Sequence, residues 1–397
     1  MFVKRPALEN FLKTKGRRLL YGRRKTGKTF YVRRVLKDYD YFIVMKGGKI
    51  YEPATDTVLD TQSFVRLCRA GNLVLDEFHR ADPKVFYAVQ AGECGEEIVF
   101  ITSTLHYHTK LTTAPGAPLK GLFLTMKVGL VSPRDLLLVD WGIEGPELIE
   151  RLVLYREPPM IGLEPEHIIA SSLEYSNALL GEVFDEEDIT LTRRFIAILE
   201  AISSGRTRLT EISGYLASRG LLPKDSASLI SKYLKTMIDI GLIEAVPILG
   251  KRKGRVYRHV SPLTDLAYYF STRYGFGDVS LSKSFLMRVF RQRLPLMVER
   301  FVEALLADVF GLRPVKIVEP EIDISLAKYS KPVLVAEVKW SNRIRREDVR
   351  RAEAKLGVYE EARKLLIVPD ASAVPETELE VWDISTLKRV ARGSRSL

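Results

Sequence analysis

The chain has 397 residues, 46% of them hydrophobic, with 61 Lys and Arg against 50 Asp and Glu and a formal net charge of +11. This length suits two to four domains with ordinary apolar cores, and the charge favours a polyanionic partner. The absence of any run of eighteen apolar residues excludes a helical membrane span, and the polar turn at Phe2-Val3-Lys4-Arg5-Pro6 argues against a secretory leader, so a cytoplasmic protein is expected.

In chain order, Leu19-Leu20-Tyr21 reads as a buried strand and Phe30 to Leu36 as a helix. Between them Gly22-Arg23-Arg24-Lys25-Thr26-Gly27-Lys28-Thr29 matches the phosphate-loop pattern G-x-x-x-x-G-K-[ST] in full. Glycines let backbone N–H groups wrap a phosphate chain, and the helix N-terminus adds a positive field. Gly22 to Phe30 is thus the expected contact with ATP or ADP, with Lys28 on the outer phosphates and Thr29 on Mg²⁺.

Leu73-Val74-Leu75 is a second buried-strand run, and it ends in Asp76-Glu77. Asp76 is expected to bind the Mg²⁺ through water, and Glu77 to polarise the water that attacks the γ-phosphate. A third run, Ile98 to Ile101, ends in Thr102-Ser103-Thr104, where Ser103 or Thr104 would sense that phosphate unless these hydroxyls only terminate the strand. Cys68 and Cys94 have neither disulfide-scaffold nor zinc-site spacing and are expected to serve packing, while five scattered histidines offer no metal cluster.

Strand and helix alternate over 1–131, as a wound α/β nucleotide-binding core requires. Residues 132–185 show helical spacing broken by Gly142, Gly145-Pro146 and Pro158-Pro159, and predict a helical lid. Over 186–261, helices at Leu191–Ile202, Leu209–Ala217 and Ser226–Ile240 precede two short strands flanking Gly250-Lys251-Arg252-Lys253-Gly254. That order predicts a winged helix-turn-helix, with Lys224, Ser228, Ser231, Lys232 and Lys235 toward duplex DNA and the basic tip on phosphate; a protein partner is the alternative.

The last segment, 262–397, carries a second possible chemistry. Glu299 lies on a predicted helix, with Glu303 one turn away, and strands around Glu321–Ile324 and Leu334–Lys339 supply Asp323, Glu337 and Lys339. Glu337 and Lys339 share one strand face. Such acids suit a second Mg²⁺ or Mn²⁺ with Lys339 polarising a phosphate, and the same pattern equally suits a solvated sheet face bearing a Glu–Lys pair.

The Phe2-Val3-Lys4-Arg5 box, the Gly22–Thr29 loop and Leu75-Asp76-Glu77-Phe78-His79-Arg80 resemble those of the archaeal ATPases of the STAND group, relatives of AAA+ and origin-recognition ATPases. The resemblance implies that Arg5 lies near the adenine and ribose and that Pro146 corresponds to the helical-domain proline that touches adenine. It also implies a C-terminal domain related to the PD-(D/E)xK nucleases, with Glu299, Asp323, Glu337 and Lys339 on its motif positions. The expected function is an Mg²⁺-dependent ATPase acting as a DNA-associated switch, in homo-oligomeric form or with a protein partner. An arginine from Arg134, Arg151 or Arg156, or from a neighbouring subunit, would stabilise transition-state charge. The alternatives are an ATP-gated metal-dependent nuclease, and a DNA-binding regulator that uses nucleotide only as ligand.

Overall fold

The computed structural model describes residues 2–187, 189–223, 227–341 and 343–393. Its first part is α1 (Pro6–Lys13), β1 (Arg18–Tyr21), α2 (Lys28–Val35), β2 (Asp40–Val44), β3 (Ile50–Glu52), β4 (Thr57–Leu59), α3 (Thr61–Leu67), β5 (Leu73–Asp76), α4 (Pro83–Gln90), β6 (Ile98–Thr102), α5 (Leu105–His108) and β7 (Leu124–Lys127). The strands form one sheet in the order β4-β3-β2-β5-β6-β1-β7. β2, β5, β6, β1 and β7 are parallel, and β3 and β4 join antiparallel at one edge. Side chains alternate across a strand, so a central strand must be apolar on both faces. Leu19, Leu75 and Phe100 pack into one core cluster, while their neighbours Leu20, Val74, Val99 and Ile101 pack into another on the opposite face.

The cysteine expectation is corrected here. Cys68 and Cys94 are both buried and form a disulfide, with Cα atoms 4.8 Å apart. The close approach depends on two glycines beside them: a Cβ on Gly95 would lie 2.7 Å from the Cα of Gly71. Sequence spacing carries no signal for it, because the end of α3 and the loop after α4 are brought together only in the folded chain, where the Gly95 amide also donates to the Cys68 carbonyl at 2.8 Å.

Next come α6 (Pro133–Leu137), α7 (Pro146–Tyr155), α8 (Pro165–Ala170) and α9 (Ser172–Glu186). Leu148, Ile149 and Leu152 of α7 share one apolar cluster with Phe290, Phe301 and Leu305, which lie far along the chain. Leu179, Leu180 and Phe184 of α9 instead join the core of the following helices. Residues 132–185 therefore divide their apolar faces between two neighbours.

Three helices, α10 (Arg193–Ser203), α11 (Leu209–Ser218) and α12 (Ala227–Asp239), precede an antiparallel hairpin of β8 (Ile243–Pro247) and β9 (Arg255–His259). Ile230, Leu234 and Met237 of α12 face inward, leaving Ser228, Ser231, Lys232 and Lys235 on the exposed face. Lys224 lies outside the described residues. The remaining elements are α13 (Pro262–Tyr274), α14 (Lys283–Phe310), β10 (Arg313–Pro314), β11 (Ile324–Lys328), β12 (Lys331–Val338), α15 (Arg346–Gly357), β13 (Arg363–Ile367), β14 (Glu380–Trp382) and α16 (Ile384–Arg392). Their five strands run in the order β10-β11-β12-β13-β14, antiparallel as far as β12 and parallel beyond it.

Candidate functional site

The Gly22–Thr29 loop leaves the carboxyl end of β1, and two positions explain its composition. Gly22 has φ +146° and sits so close to β7's exit that a Cβ would lie 2.2 Å from the carbonyl oxygen of Val128. Gly27, at φ +82°, caps α2 in the left-handed region. Arg5 braces the loop: its guanidinium donates to the carbonyls of Thr26 at 3.0 Å, Gly129 at 3.0 Å and Leu130 at 3.2 Å.

Lys28 is buried and donates Nζ–H to the carbonyls of Gly22 at 2.7 Å and Arg23 at 3.0 Å. Burial pushes its ammonium down to about 8, against the opposing pull of Glu77 and Asp76. Thr29 donates Oγ1–H to Asp76 Oδ2 at 2.6 Å, and the Tyr41 hydroxyl donates to the same oxygen. Burial, then Asp76, holds the Tyr41 phenol well above its ordinary value.

Glu77 follows Asp76 with φ 54° and ψ 37°, a left-handed conformation that costs a non-glycine residue of order 1–3 kcal/mol. It turns the carboxylate toward β6, where Ser103 donates Oγ–H to Oε1 at 3.0 Å. Glu77 Oε2 is buried without a hydrogen bond, with His79 Nδ1 at 3.4 Å. Thr104 is fully buried with its hydroxyl 3.2 Å from that of Thr102, which in turn lies 2.9 Å from His79 Nδ1.

The segment after β7 supplies acids to the loop, Glu157 from the turn after α7 and Glu182 from α9. Arg23 donates to Glu157 Oε1 at 2.9 Å and Oε2 at 3.0 Å, and Tyr175 donates to Glu157 at 3.0 Å. Glu182 accepts from Lys25 at 2.9 Å and lies 3.6 Å from Arg24. Beside the loop is a cavity of about 300 Å³, with Phe2, Val3, Gly27, Phe30, Tyr31, Pro158, Pro159 and Ile161 among its walls. Pro146 is not among its lining residues; it starts α7, and Pro158 and Pro159 stand at the cavity instead. In the sequence that proline pair is visible only as a helix break. Glu157, Glu182 and Tyr41 carry no local signal at all.

The three arginines proposed for transition-state charge are engaged elsewhere. Arg134 donates to the Ala391 carbonyl, Arg151 pairs with Glu147 and Glu164, and Arg156 is buried near Glu244, Arg258 and Glu303. Arg23 and Arg24 of the loop itself, and Arg5, which lines the cavity beside it, are arginines at the site.

Thr29 and Asp76 present hard oxygens at one point. This suits Mg²⁺, which takes one or two protein oxygens and completes its shell with water and phosphate. Among the described residues no group of three or more His, Cys, Asp or Glu is arranged to hold a metal ion.

In the C-terminal segment, a second cavity of about 260 Å³ is lined by Glu299, Glu303 and Asp323 and roofed by Val246, Val256 and Tyr257 of the β8–β9 hairpin. Burial, then Asp323, raises the Glu299 carboxyl to about 7. Asp323 accepts from the Val338 amide at 2.9 Å. Glu337 is buried and accepts from Lys339 at 2.8 Å and from Lys355 at 3.1 and 3.2 Å. Glu303, the other helix acid, is bound by Arg258. Glu299 thus shares a cavity with Asp323, while Glu337 is paired with two lysines.

No family model matches the chain, and no curated protein matches it. Among solved structures it is similar to the Walker-type ATPase PABY2304 of Pyrococcus abyssi, at 16% identity and TM-score 0.45, covering 67% of this chain and 96% of that one. It is also similar to the Aeropyrum pernix ORC2 protein in its ADPNP-ADP complexes, at 14% identity and TM-score 0.33, covering 72% and 90%. The Aeropyrum pernix ORC1 protein in complex with DNA is a third, at 16% identity and TM-score 0.31, covering 69% and 92%. No helix of the described residues is long and apolar enough to cross a membrane.

Proposed function

We propose that this chain is an ATP-binding, Mg²⁺-dependent ATPase that acts as a nucleotide-controlled switch in association with duplex DNA. The supporting observation is the meeting of Lys28, Thr29, Asp76 and Glu77 at the carboxyl ends of the parallel strands β1 and β5, beside a cavity large enough for a purine. Loop N–H groups and Lys28 hold the phosphate chain. The base enters between Phe2, Tyr31 and Pro158. Glu77 Oε2, buried and without a hydrogen bond, accepts the proton of the attacking water while Ser103 holds Oε1. A bound magnesium ion supplies charge neutralisation at the phosphate oxygens beside Thr29 and Asp76.

The switch follows from charge competition. Phosphates entering the loop compete with Glu182 for Lys25 and Arg24 and with Glu157 for Arg23, so nucleotide occupancy biases α9, which carries Glu182, and the turn after α7, which carries Glu157. In this reading 1–131 is the ATPase core, 132–185 a lid, 186–261 a winged helix-turn-helix and 262–397 a nuclease-like domain. Phosphate release from ATP by the purified chain tests it. Lys28→Ala should lose nucleotide affinity, and Glu77→Gln should keep affinity but not turnover. If neither variant differs from the parent chain, the ATPase reading fails.

A second reading, an ATP-gated nuclease, draws on the shared cavity of Glu299 and Asp323. Glu337, the strand acid of that site, is held by Lys339 and Lys355. Mn²⁺-dependent plasmid nicking that disappears in Glu337→Ala would favour it.

A further inference from the structure

The β8–β9 hairpin is not a free wing. The Lys316 amide donates to the Pro247 carbonyl at 2.8 Å and the Leu249 amide donates to the Lys316 carbonyl at 2.9 Å, which stitches the end of β8 to the C-terminal segment. Leu249 then packs against the apolar cluster that holds Ile317, Ile344 and Val349, the last on α15. Backbone bonds and apolar packing together fix the hairpin tip relative to α15.

Each of these elements presents exposed cations. Lys251, Arg252 and Lys253 begin two residues beyond Leu249, Arg343 precedes Ile344 and Arg346 opens α15, with Arg350 one turn further along it. All six are exposed and none makes an ion pair among the described residues. The acids of this stretch are occupied: Asp348 accepts from the Arg345 amide and Glu347 pairs with Arg351. Two exposed cation clusters thus flank one apolar joint, at which Lys316 is paired with Glu321 at 2.9 Å.

We infer that the hairpin tip and the first half of α15 form one composite surface for the phosphate backbone of duplex DNA. It rests on the reading of the chain as DNA-associated, and extends it by bringing the C-terminal segment onto the DNA in addition to α12. Duplex DNA is the occupant we favour, because six exposed cations on two elements joined by backbone bonds and apolar packing suit a dense, stiff row of phosphates. No base reading is implied; phosphate contacts position a protein and carry no sequence information directly.

The test is fluorescence anisotropy of a short labelled duplex titrated with the full chain across a range of salt. Three proteins are compared: the parent, the tip triple variant Lys251→Glu, Arg252→Glu, Lys253→Glu, and the α15 triple variant Arg343→Glu, Arg346→Glu, Arg350→Glu. Each variant is expected to bind at least about tenfold more weakly, and each to lower the slope of log affinity against log salt by about 2 to 3, at roughly 0.9 for every phosphate that is no longer neutralised. Unchanged thermal melting and ATP turnover confirm the fold of both variants. If the α15 variant keeps the parent's affinity and slope while the tip variant weakens, the composite surface is overturned and DNA association stands. If the parent shows no salt-dependent binding, both fall. Tighter binding of single strands or anionic vesicles than of duplex also overturns it.

Discussion

Arg23 of the phosphate loop and Glu157, 134 residues further along, form a buried ion pair through both carboxylate oxygens, at 2.9 and 3.0 Å. Glu157 is fully buried and also accepts from Tyr175, so the pair welds the loop to the helices after the sheet. Breaking such a pair from one side leaves a charge uncompensated, whereas removing both charges costs far less.

Glu157→Gln is therefore expected to destabilise the chain by about 3–5 kcal/mol in denaturant unfolding. The double variant Glu157→Gln, Arg23→Met should be less destabilised than the sum of the two single variants. Strict additivity would show that the two side chains do not interact.

Nucleotide binding should take up protons near pH 8. Burial pushes the Lys28 ammonium down to about 8, so at that pH about half the molecules carry it neutral. Phosphate beside it favours the charged form, and binding at pH 8 should draw in up to about 0.5 proton per nucleotide. Calorimetry in buffers of different ionisation enthalpy reads this directly. Zero uptake, or proton release, contradicts it.

Glu299 should give the fold a pH-dependent cost. Its carboxyl is raised to about 7 in the fold, so the folded state holds a proton that the unfolded state has lost. Its favourable contribution is complete below the unfolded value of about 4.3 and is lost as pH rises through about 7. Glu299→Gln should therefore gain up to about 3 kcal/mol over the parent at pH 8 and little at pH 5. An equal effect at both values would assign the gain to packing.

The Cys68–Cys94 disulfide spans a sequence separation of 26. A closed loop of that size restricts the unfolded chain by about 3 kcal/mol. Thermal unfolding with and without a thiol reductant should show the difference, and the variant Cys68→Ala, Cys94→Ala should be insensitive to the reductant. A parent melting temperature unchanged by full reduction would contradict the assignment.

By itself the sequence determined the local parts of this protein. Gly22 and Gly27, the apolar runs that end at Tyr21, Asp76 and Thr102, and the helix spacing of 191–240 were legible because dihedral freedom, strand alternation and helical period act over a few residues. Only the tertiary structure decided what these parts meet. Arg5 is occupied by backbone carbonyls, Pro158 and Pro159 stand at the cavity where Pro146 was expected, and the two cysteines are paired. Arg23 is matched to Glu157, Asp76 to Tyr41, and the β8–β9 hairpin to Lys316. Each of these joins residues far apart in sequence, and burying a charge or a backbone group favours whichever partner the packing delivers, which no local pattern encodes.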